Sequence, residues 1–278
     1  LPICGILMGI GYALAPAVMG AEGATSGAAY TVGFLLIKRP AGWVYDPATS
    51  HVSRKTILKK PVFWGIWIAF YINITCGLAL ISQEKDILHD VLRAFPQYAN
   101  LSPAKFAAAI SGIIGLVLAV DSVFNTAGRV GFSTLSDHLK RRETVYQVIF
   151  IMSIAVCLLQ IFTNSIGNAL LWAVLAMLFL VNAGYGGGFS TLPVLLDQHF
   201  GTKTVSTTHG LTLSAWAFAG LSGNQLASFV VAHAPDQAHR YAALIPVITG
   251  LFVVALISIS LVKYLGDRNV TKAVEDRG

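Results

Sequence analysis

The sequence has little charge and little cysteine. Asp, Glu, Lys and Arg make up 12% of its 278 residues, whereas a soluble domain carries about 25% charged residues. The three cysteines, Cys4, Cys76 and Cys157, lie in apolar segments and have neither a disulfide nor a metal-ligand spacing. The sequence shows no cluster of His, Cys, Asp and Glu and no Gly-rich nucleotide loop, which argues against an enzyme. We therefore expect no cofactor and no metal.

Long hydrophobic runs dominate the chain instead. A membrane-spanning helix needs about 20 apolar residues to cross a hydrocarbon core of about 30 Å. Six segments meet this length: residues 62–82, 106–132, 144–162, 168–192, 208–232 and 241–264. The sequence therefore predicts an all-α polytopic membrane protein that is embedded in a lipid bilayer.

The parts outside these six segments are predicted separately. Residues 1–37 are apolar and rich in Gly and Ala, and they divide into two membrane segments, of which the second, 23–37, is short. Residues 38–61 form a long basic connection, and residues 265–278 form a polar tail. Residues 83–105 mix charged and apolar side chains, which predicts a short amphipathic helix in an external loop. Because the chain starts inside an apolar segment without Met, we expect a fragment truncated at its front.

Lys and Arg alternate between rich and poor connections along the chain. Residues 38–60 contain six of them, the following connections contain three, three, none, one and one, and the tail contains four. Positive residues concentrate in cytoplasmic loops, so alternate assignment puts fourteen inside and four outside. Both ends of this chain are then cytoplasmic, in a multi-pass protein of the inner (plasma) membrane. The net charge of +6 follows from this bias and is no evidence for nucleic acid as a partner.

A short motif lies in the connection between the second and third segments. Ser133 is followed by Asp137 and then by the pair Arg141 and Arg142. This arrangement resembles the signature loop of the major facilitator superfamily, although Ser133 replaces the usual Gly and His138 replaces the usual Arg or Lys. The resemblance implies that Ser133, Asp137, Arg141 and Arg142 form a conformational-switch loop.

The same resemblance implies a numbering of the helices. In the superfamily the loop follows the second helix of each six-helix half, so residues 62–264 correspond to the C-terminal six-helix bundle, helices 7 to 12. Residues 1–37 then correspond to helices 5 and 6 of the N-terminal half, and residues 38–61 to the central cytoplasmic loop. The missing N-terminal helices of the same transporter are an expected partner.

Five runs of sequence, in order, point to a narrower family. The chain resembles the oxalate:formate antiporters over residues 9–223, through the runs at residues 38–43, 60–64, 125–129 with 136–137, 184–188 with 200–203, and 210–220. The resemblance implies a secondary transporter of small organic carboxylate anions that works by alternating access. A carrier of another solute class, such as a sugar or a drug, and an inactive fragment or accessory membrane protein are the alternatives.

Three polar residues share one face of the second segment. Asp121, Asn125 and Arg129 are spaced i, i+4 and i+8. Ionisable groups in a span are costly and usually face a cavity or a partner, and the guanidinium fork of Arg matches a carboxylate. These residues are candidates for substrate binding. Alternatively, Asp121 and Arg129 stabilise packing, although about 12 Å along the axis separates them.

The family resemblance implies roles for two of these positions. Small carboxylates are held in the family by an Arg on helix 8, which carries over to Arg129, and in oxalate-specific members also by a Lys on helix 11. Trp216 occupies that Lys position, either as a wall of the substrate cavity or as packing. Losing this cation favours a monocarboxylate such as pyruvate, lactate or formate over oxalate.

Two further features concern contacts between helices. Amides within the spans, among them Asn182, either line a pathway or join neighbouring helices. Gly184, Gly186, Gly187 and Gly188 predict a close helix contact more than a hinge, and Pro193 is expected to bend or end that helix.

Overall fold

The computed structural model describes residues 54–163, 167–236 and 240–275, and these residues contain helices and short connections but no strand. The predicted all-α membrane fold is confirmed. Residues 1–53, on which the predicted helices 5 and 6 and most of the central loop fall, lie outside the described residues. The helices are α1 (Arg54–Leu58), α2 (Pro61–Arg93), α3 (Pro96–Ala99), α4 (Pro103–His138), α5 (Glu143–Thr163), α6 (Gly167–Phe200), α7 (Val205–Ala232) and α8 (Leu244–Glu275).

Proline sets the starts of three helices. Pro61, Pro96 and Pro103 each occupy the first helical turn, where the missing N–H would have had no partner in any case. Residues 78–95 contain no Gly or Pro, so α2 continues to Arg93 instead of ending near residue 82. The predicted separate amphipathic helix in 83–105 is therefore wrong over residues 83–93, which are the last three turns of α2.

The later helices also run further than their hydropathy indicates. Ser133 and Asp137 belong to the last turns of α4. The turn between α4 and α5 therefore contains only residues 139–142. Pro193 lies inside α6 and does not end it. The helix ends before Gly201, whose φ of 81° is a left-handed conformation that glycine adopts without strain. Its N–H donates to the carbonyl of Asp197 at 2.8 Å.

Five of these helices are long and apolar enough to cross a membrane: α2, α4, α5, most of α6, and the stretch Arg240–Gly266 that includes most of α8. The remaining long helix, α7, has 28 residues, which is about 42 Å at 1.5 Å per residue. Its many Ser, Thr and Gly residues make it less apolar than the others. Its assignment as a sixth span stays a prediction.

The connections alternate between two ends of the bundle. At one end, the ring of Phe63 at the start of α2 lies 6.4 Å from that of Phe200 at the end of α6, and Arg141 before α5 donates to the carbonyl of Lys263 near the end of α8. At the other end, a cavity of about 380 Å³ is lined by residues from α2, α3, α5 and α6 and by Tyr241. This alternation is the geometry that the charge pattern predicted.

The glycines of α6 bring helix backbones into close contact, as predicted. A side chain added at Gly186 would meet the carbonyl oxygen of Asn125 on α4, and one added at Gly188 would meet the amide of Asn73 on α2. On the facing side, Gly128 of α4 lies against the backbone of Ala183. The seam between α4 and α6 therefore holds the polar residues of both helices at hydrogen-bond distance.

Candidate functional site

A chain of side-chain hydrogen bonds connects Asp121 to Arg129. Asn182 of α6 donates through Nδ2 to Asp121 Oδ2, and its Oδ1 accepts a hydrogen bond of 2.8 Å from Asn125 Nδ2. Asn125 Oδ1 in turn accepts from Arg129 Nε at 3.3 Å. The structure thus brings Asp121, Asn125 and Arg129 together through a residue of another helix, because the two ionisable groups are too far apart to pair directly.

Asn182 is the member of this chain that the sequence weighted least. It is buried and contacts both Asp121 and Asn125. Its amide offers a donor and an acceptor at once, which lets it join a carboxylate on one side to an amide on the other. The signal in the sequence was its place two residues before the glycine run, where helices approach closely.

Arg129 presents its guanidinium group at an exposed position of α4. Within the described ranges, Nε is the only guanidinium nitrogen of Arg129 with a hydrogen-bond partner. Its Cζ lies 5.8 Å from the ring centroid of Phe189 on α6, and its carbonyl accepts from Ser190 Oγ at 3.0 Å. The two terminal nitrogens, which form the fork that matches a carboxylate, remain available for a ligand.

Trp216 contacts the same aromatic ring. Its ring centroid is 5.8 Å from that of Phe189, at an interplanar angle of 88°. Phe189 therefore contacts both Arg129 and Trp216, and it also contacts Tyr185 and Phe70. Trp216 is 50% exposed within the part of the chain that the structure describes, so it is not a core residue there.

A second pair of aromatic residues, on α2, is bonded to α7. Trp67 and Tyr71 stack with centroids 5.3 Å apart. Trp67 Nε1 donates to Ser214 Oγ at 2.9 Å, and the Tyr71 hydroxyl bonds Ser222 Oγ at 2.8 Å. Sequence reasoning missed these residues, although their i, i+4 spacing places them on one face of α2.

The four residues of the signature loop do not form a single cluster. Arg142 Nη1 lies 3.7 Å from Asp137 Oδ1, which is a weak ion pair because Asp137 is exposed. Ser133 instead bonds Ser190 Oγ of α6 at 2.9 Å. Arg141 points away from Asp137 to the start of α5.

The residue that organises this end of the bundle is Glu143, which the sequence analysis did not single out. It is fully buried, and its Oε1 accepts from Arg141 Nη2 at 3.0 Å and lies 2.7 Å from His199 Nε2. Its Oε2 accepts from Gln198 Nε2 at 2.9 Å. Because Arg141 also reaches the carbonyl of Lys263, the cluster connects the ends of α5, α6 and α8. An acidic residue at a helix start directly after two arginines was the signal available in the sequence.

The family model of the Major Facilitator Superfamily matches residues 1–224. The chain belongs to this superfamily. Its members are membrane transporters and not enzymes, and the chain is accordingly a multi-pass membrane protein.

Two curated relatives give a narrower comparison. The chain is 24% identical to an oxalate:formate antiporter of Oxalobacter formigenes over 200 residues, which are 72% of this chain and 42% of the relative. It is 26% identical to an uncharacterized MFS-type transporter, YhjX, of Escherichia coli over 156 residues, which are 55% of this chain and 33% of the relative. The matched region spans less than half of the length of either relative.

Proposed function

We propose that this chain is part of a secondary transporter of small organic carboxylate anions, with monocarboxylates such as pyruvate, lactate or formate preferred over oxalate. The observation that carries the proposal is the guanidinium group of Arg129. It is fixed at Nε by Asn125 and at its face by Phe189, while its terminal nitrogens have no partner among the described residues. A planar fork held in this way is suited to bidentate binding of a carboxylate.

The charge of the site supports a monoanion. In the described residues, Arg129 is the one cation that stacks on the aromatic cluster of Phe189 and Trp216. A dianion would leave one negative charge without a partner, and an unpaired charge in a low-dielectric site is costly. The name of the Oxalobacter formigenes relative supports a small carboxylate as the solute class.

The remaining half of the transporter is needed to enclose the anion. Arg129 and Trp216 are both exposed in the described residues, and so are apolar side chains of the same helices, among them Leu116 and Leu221. We propose that N-terminal helices of the same transporter cover this face. The two halves then rock about the site, which lies within the spans, in an alternating-access cycle.

The end of the bundle with Glu143 is proposed to be cytoplasmic. Positive residues concentrate in the connections of that end. The pairs of Arg142 with Asp137 and of Arg141 with Glu143 connect α4, α5 and α8 there. Breaking and remaking these pairs is the proposed function of the switch loop, and we propose that both chain ends are cytoplasmic.

The experiment is counterflow of labelled pyruvate into proteoliposomes that contain the full-length transporter. Arg129→Gln removes the charge and the fork, and hydrogen bonds to charged groups contribute about 1.5–3 kcal/mol, so we expect at least about a tenfold loss of the initial rate. Arg129→Lys keeps a point charge without the fork and is expected to lose less.

The matched control is Arg240→Gln. Arg240 also stacks on an aromatic ring, with its Cζ 5.0 Å from the centroid of Tyr241, but it precedes α8, at the end of the bundle where Tyr241 lines the cavity. We expect this variant to keep wild-type counterflow. Pyruvate counterflow that is unchanged in Arg129→Gln, or that is inhibited by neutral sugars but not by formate, would contradict the proposal.

A further inference from the structure

The cavity of about 380 Å³ lies at the other end of the bundle from Glu143. Residues of four long helices, α2, α5, α6 and α8, form its walls together with the short α3 and the connection before α8. Among the described residues, none from α4 or α7 lines it, so it shares no side chain with the proposed carboxylate site. Small-molecule sites usually have volumes of about 300–1,000 Å³. The cavity is therefore large enough for a small ligand of its own.

The inner part of the cavity is apolar. Ile87 of α2, Val174 and Met177 of α6 and Ile245 of α8 line it, and each of them is buried. A water molecule against such a surface lacks the two to four polar partners that a bound water needs, in about the number usual for buried waters. The hydrocarbon part of a ligand gains by lying there, because apolar surface leaves water on both sides of the contact.

One polar side chain at this depth has no partner. Gln160 of α5 is 5% exposed and lines the cavity. Its backbone carbonyl accepts from the hydroxyl of Thr163 at 3.2 Å, whereas its side-chain amide has no hydrogen-bond partner among the described residues. An unpaired buried amide is costly. A polar group of a ligand would remove that cost, so Gln160 indicates that the cavity binds a molecule.

The charged side chains that line the cavity are both acidic. Asp90 of α2 is half-buried, and Asp236, which follows α7, is exposed at the mouth. No Lys or Arg of the described residues lines the cavity. The guanidinium group of Arg240 is held outside it by Tyr241, through ring stacking and a hydrogen bond of 3.1 Å to the hydroxyl. His89 lies 3.8 Å from Asp90, which is longer than a hydrogen bond. The lining therefore favours a cation.

An organic cation fits these groups better than a metal ion does. Ca²⁺ takes about six to eight oxygen ligands, and the described residues contain no group of three or more His, Cys, Asp and Glu side chains that could hold a metal. A bare ion would also leave the apolar part of the cavity uncovered. A protonated amine with a hydrocarbon body uses both parts.

We propose that this cavity is a binding site for a small amphipathic amine. The ammonium group donates to the carboxylate of Asp90 and to the side-chain oxygen of Gln160, and the hydrocarbon body lies against Val174 and Met177. Asp236 at the mouth attracts the cation from solution. Because the walls belong to four helices, the bound amine connects α2, α5, α6 and α8 at this end of the bundle. The site does not depend on the proposed carboxylate transport.

The first test measures binding to the full-length transporter by equilibrium dialysis of labelled phenethylamine at neutral pH. Phenethyl alcohol has the same hydrocarbon body without the charge, and it controls for partitioning into detergent micelles. We expect saturable binding of the amine and at least about tenfold weaker binding of the alcohol. No saturable binding of the amine, equal affinity for the alcohol, or displacement of the amine by Ca²⁺ but not by Na⁺ at the same ionic strength overturns the proposal.

The second test assigns the binding to this cavity. Asp90→Asn keeps the shape of the side chain and removes its charge, so we expect at least about tenfold weaker binding of phenethylamine. Gln160→Leu keeps the size and removes the hydrogen bond, with an expected loss of about threefold or more. The matched control is Asp86→Asn, because Asp86 is an exposed acid one turn earlier on α2 that does not line the cavity. Its effect should stay within about twofold, since an exposed charge is screened.

Equal losses in Asp86→Asn and Asp90→Asn, or wild-type affinity in both Asp90→Asn and Gln160→Leu, would show that the amine binds elsewhere. Hydrogen exchange gives the location without a substitution. Bound phenethylamine should slow exchange at the end of α2, around Gln160 and at the start of α8, and it should leave the amides near Glu143 unchanged. Protection near Arg129 in place of these segments also overturns the proposal. Loss of pyruvate counterflow would refute the carboxylate carrier and leave all of these binding measurements valid.

Discussion

The close contact of α4 and α6 predicts a large difference between two glycine substitutions on one helix. Gly128 and Gly131 both lie inside α4, one turn apart. A methyl group added at Gly128 would lie 2.6 Å from the backbone Cα and C atoms of Ala183, whereas one added at Gly131 would meet nothing within 4 Å. The two positions thus have the same helical context and opposite steric surroundings.

The expected energies follow from that contrast. In a helix interior, Ala is favoured over Gly by up to about 1 kcal/mol, so Gly131→Ala should be neutral or slightly stabilising. At Gly128 the same gain is opposed by overpacking, which costs about 1–3 kcal/mol, and the atoms in the way are backbone and cannot rotate aside. Because the gain is common to both positions, we expect Gly128→Ala to be less stable than Gly131→Ala by about 1–3 kcal/mol.

The assay is unfolding of the full-length transporter in mixed micelles with an increasing fraction of denaturing detergent, followed by tryptophan fluorescence. Gly128→Ala should also slow pyruvate counterflow, because a displaced α4 lengthens the hydrogen bond from Asn125 to Asn182. Equal unfolding midpoints for Gly128→Ala and Gly131→Ala would refute the argument that backbone contact at the seam positions the site.

Three further predictions concern other positions. Trp216→Lys adds a second cation beside Phe189, and we expect it to raise the ratio of oxalate to pyruvate counterflow by about tenfold or more. Glu143→Gln removes a buried partner of Arg141 at a cost of about 3 kcal/mol, which faster hydrogen exchange at the start of α5 would show. Tyr146→Phe removes the hydrogen bond of 2.5 Å to the carbonyl of Gly188, and a midpoint within error of wild type would contradict the expected cost of about 1–3 kcal/mol.

The sequence predicted the spans better than their ends. Hydropathy places the centres of α2, α4, α5, α6 and α8 correctly, because the length of an apolar segment reflects the thickness of the hydrocarbon core that it must cross. It ends α2 too early, because charged residues such as Glu84 lower the hydropathy and suggest a loop. Residues 78–95 nevertheless contain no Gly or Pro that would interrupt the helix. Pro193 was expected to bend or end its helix, and the structure rules out the second alternative, because α6 continues past it to Phe200.

The candidate site was predicted in part. The periodicity of α4 is enough to place Asp121, Asn125 and Arg129 on one face, and the hydrogen bonds of the structure are consistent with that placement. The position of Trp216 against Phe189 required the packing of α6 and α7. The roles of these residues in binding an anion stay predictions.

By itself, the sequence determined that this chain spans a membrane, that its connections alternate between two ends, and that one helix carries a polar face with Arg129. These are local properties, set by composition and by the 3.6-residue period of a helix. Only the tertiary structure decided that Asn182 lies between Asp121 and Asn125 and that Glu84 is buried. Those contacts depend on how neighbouring helices are rotated and how closely their backbones approach, which no single segment specifies.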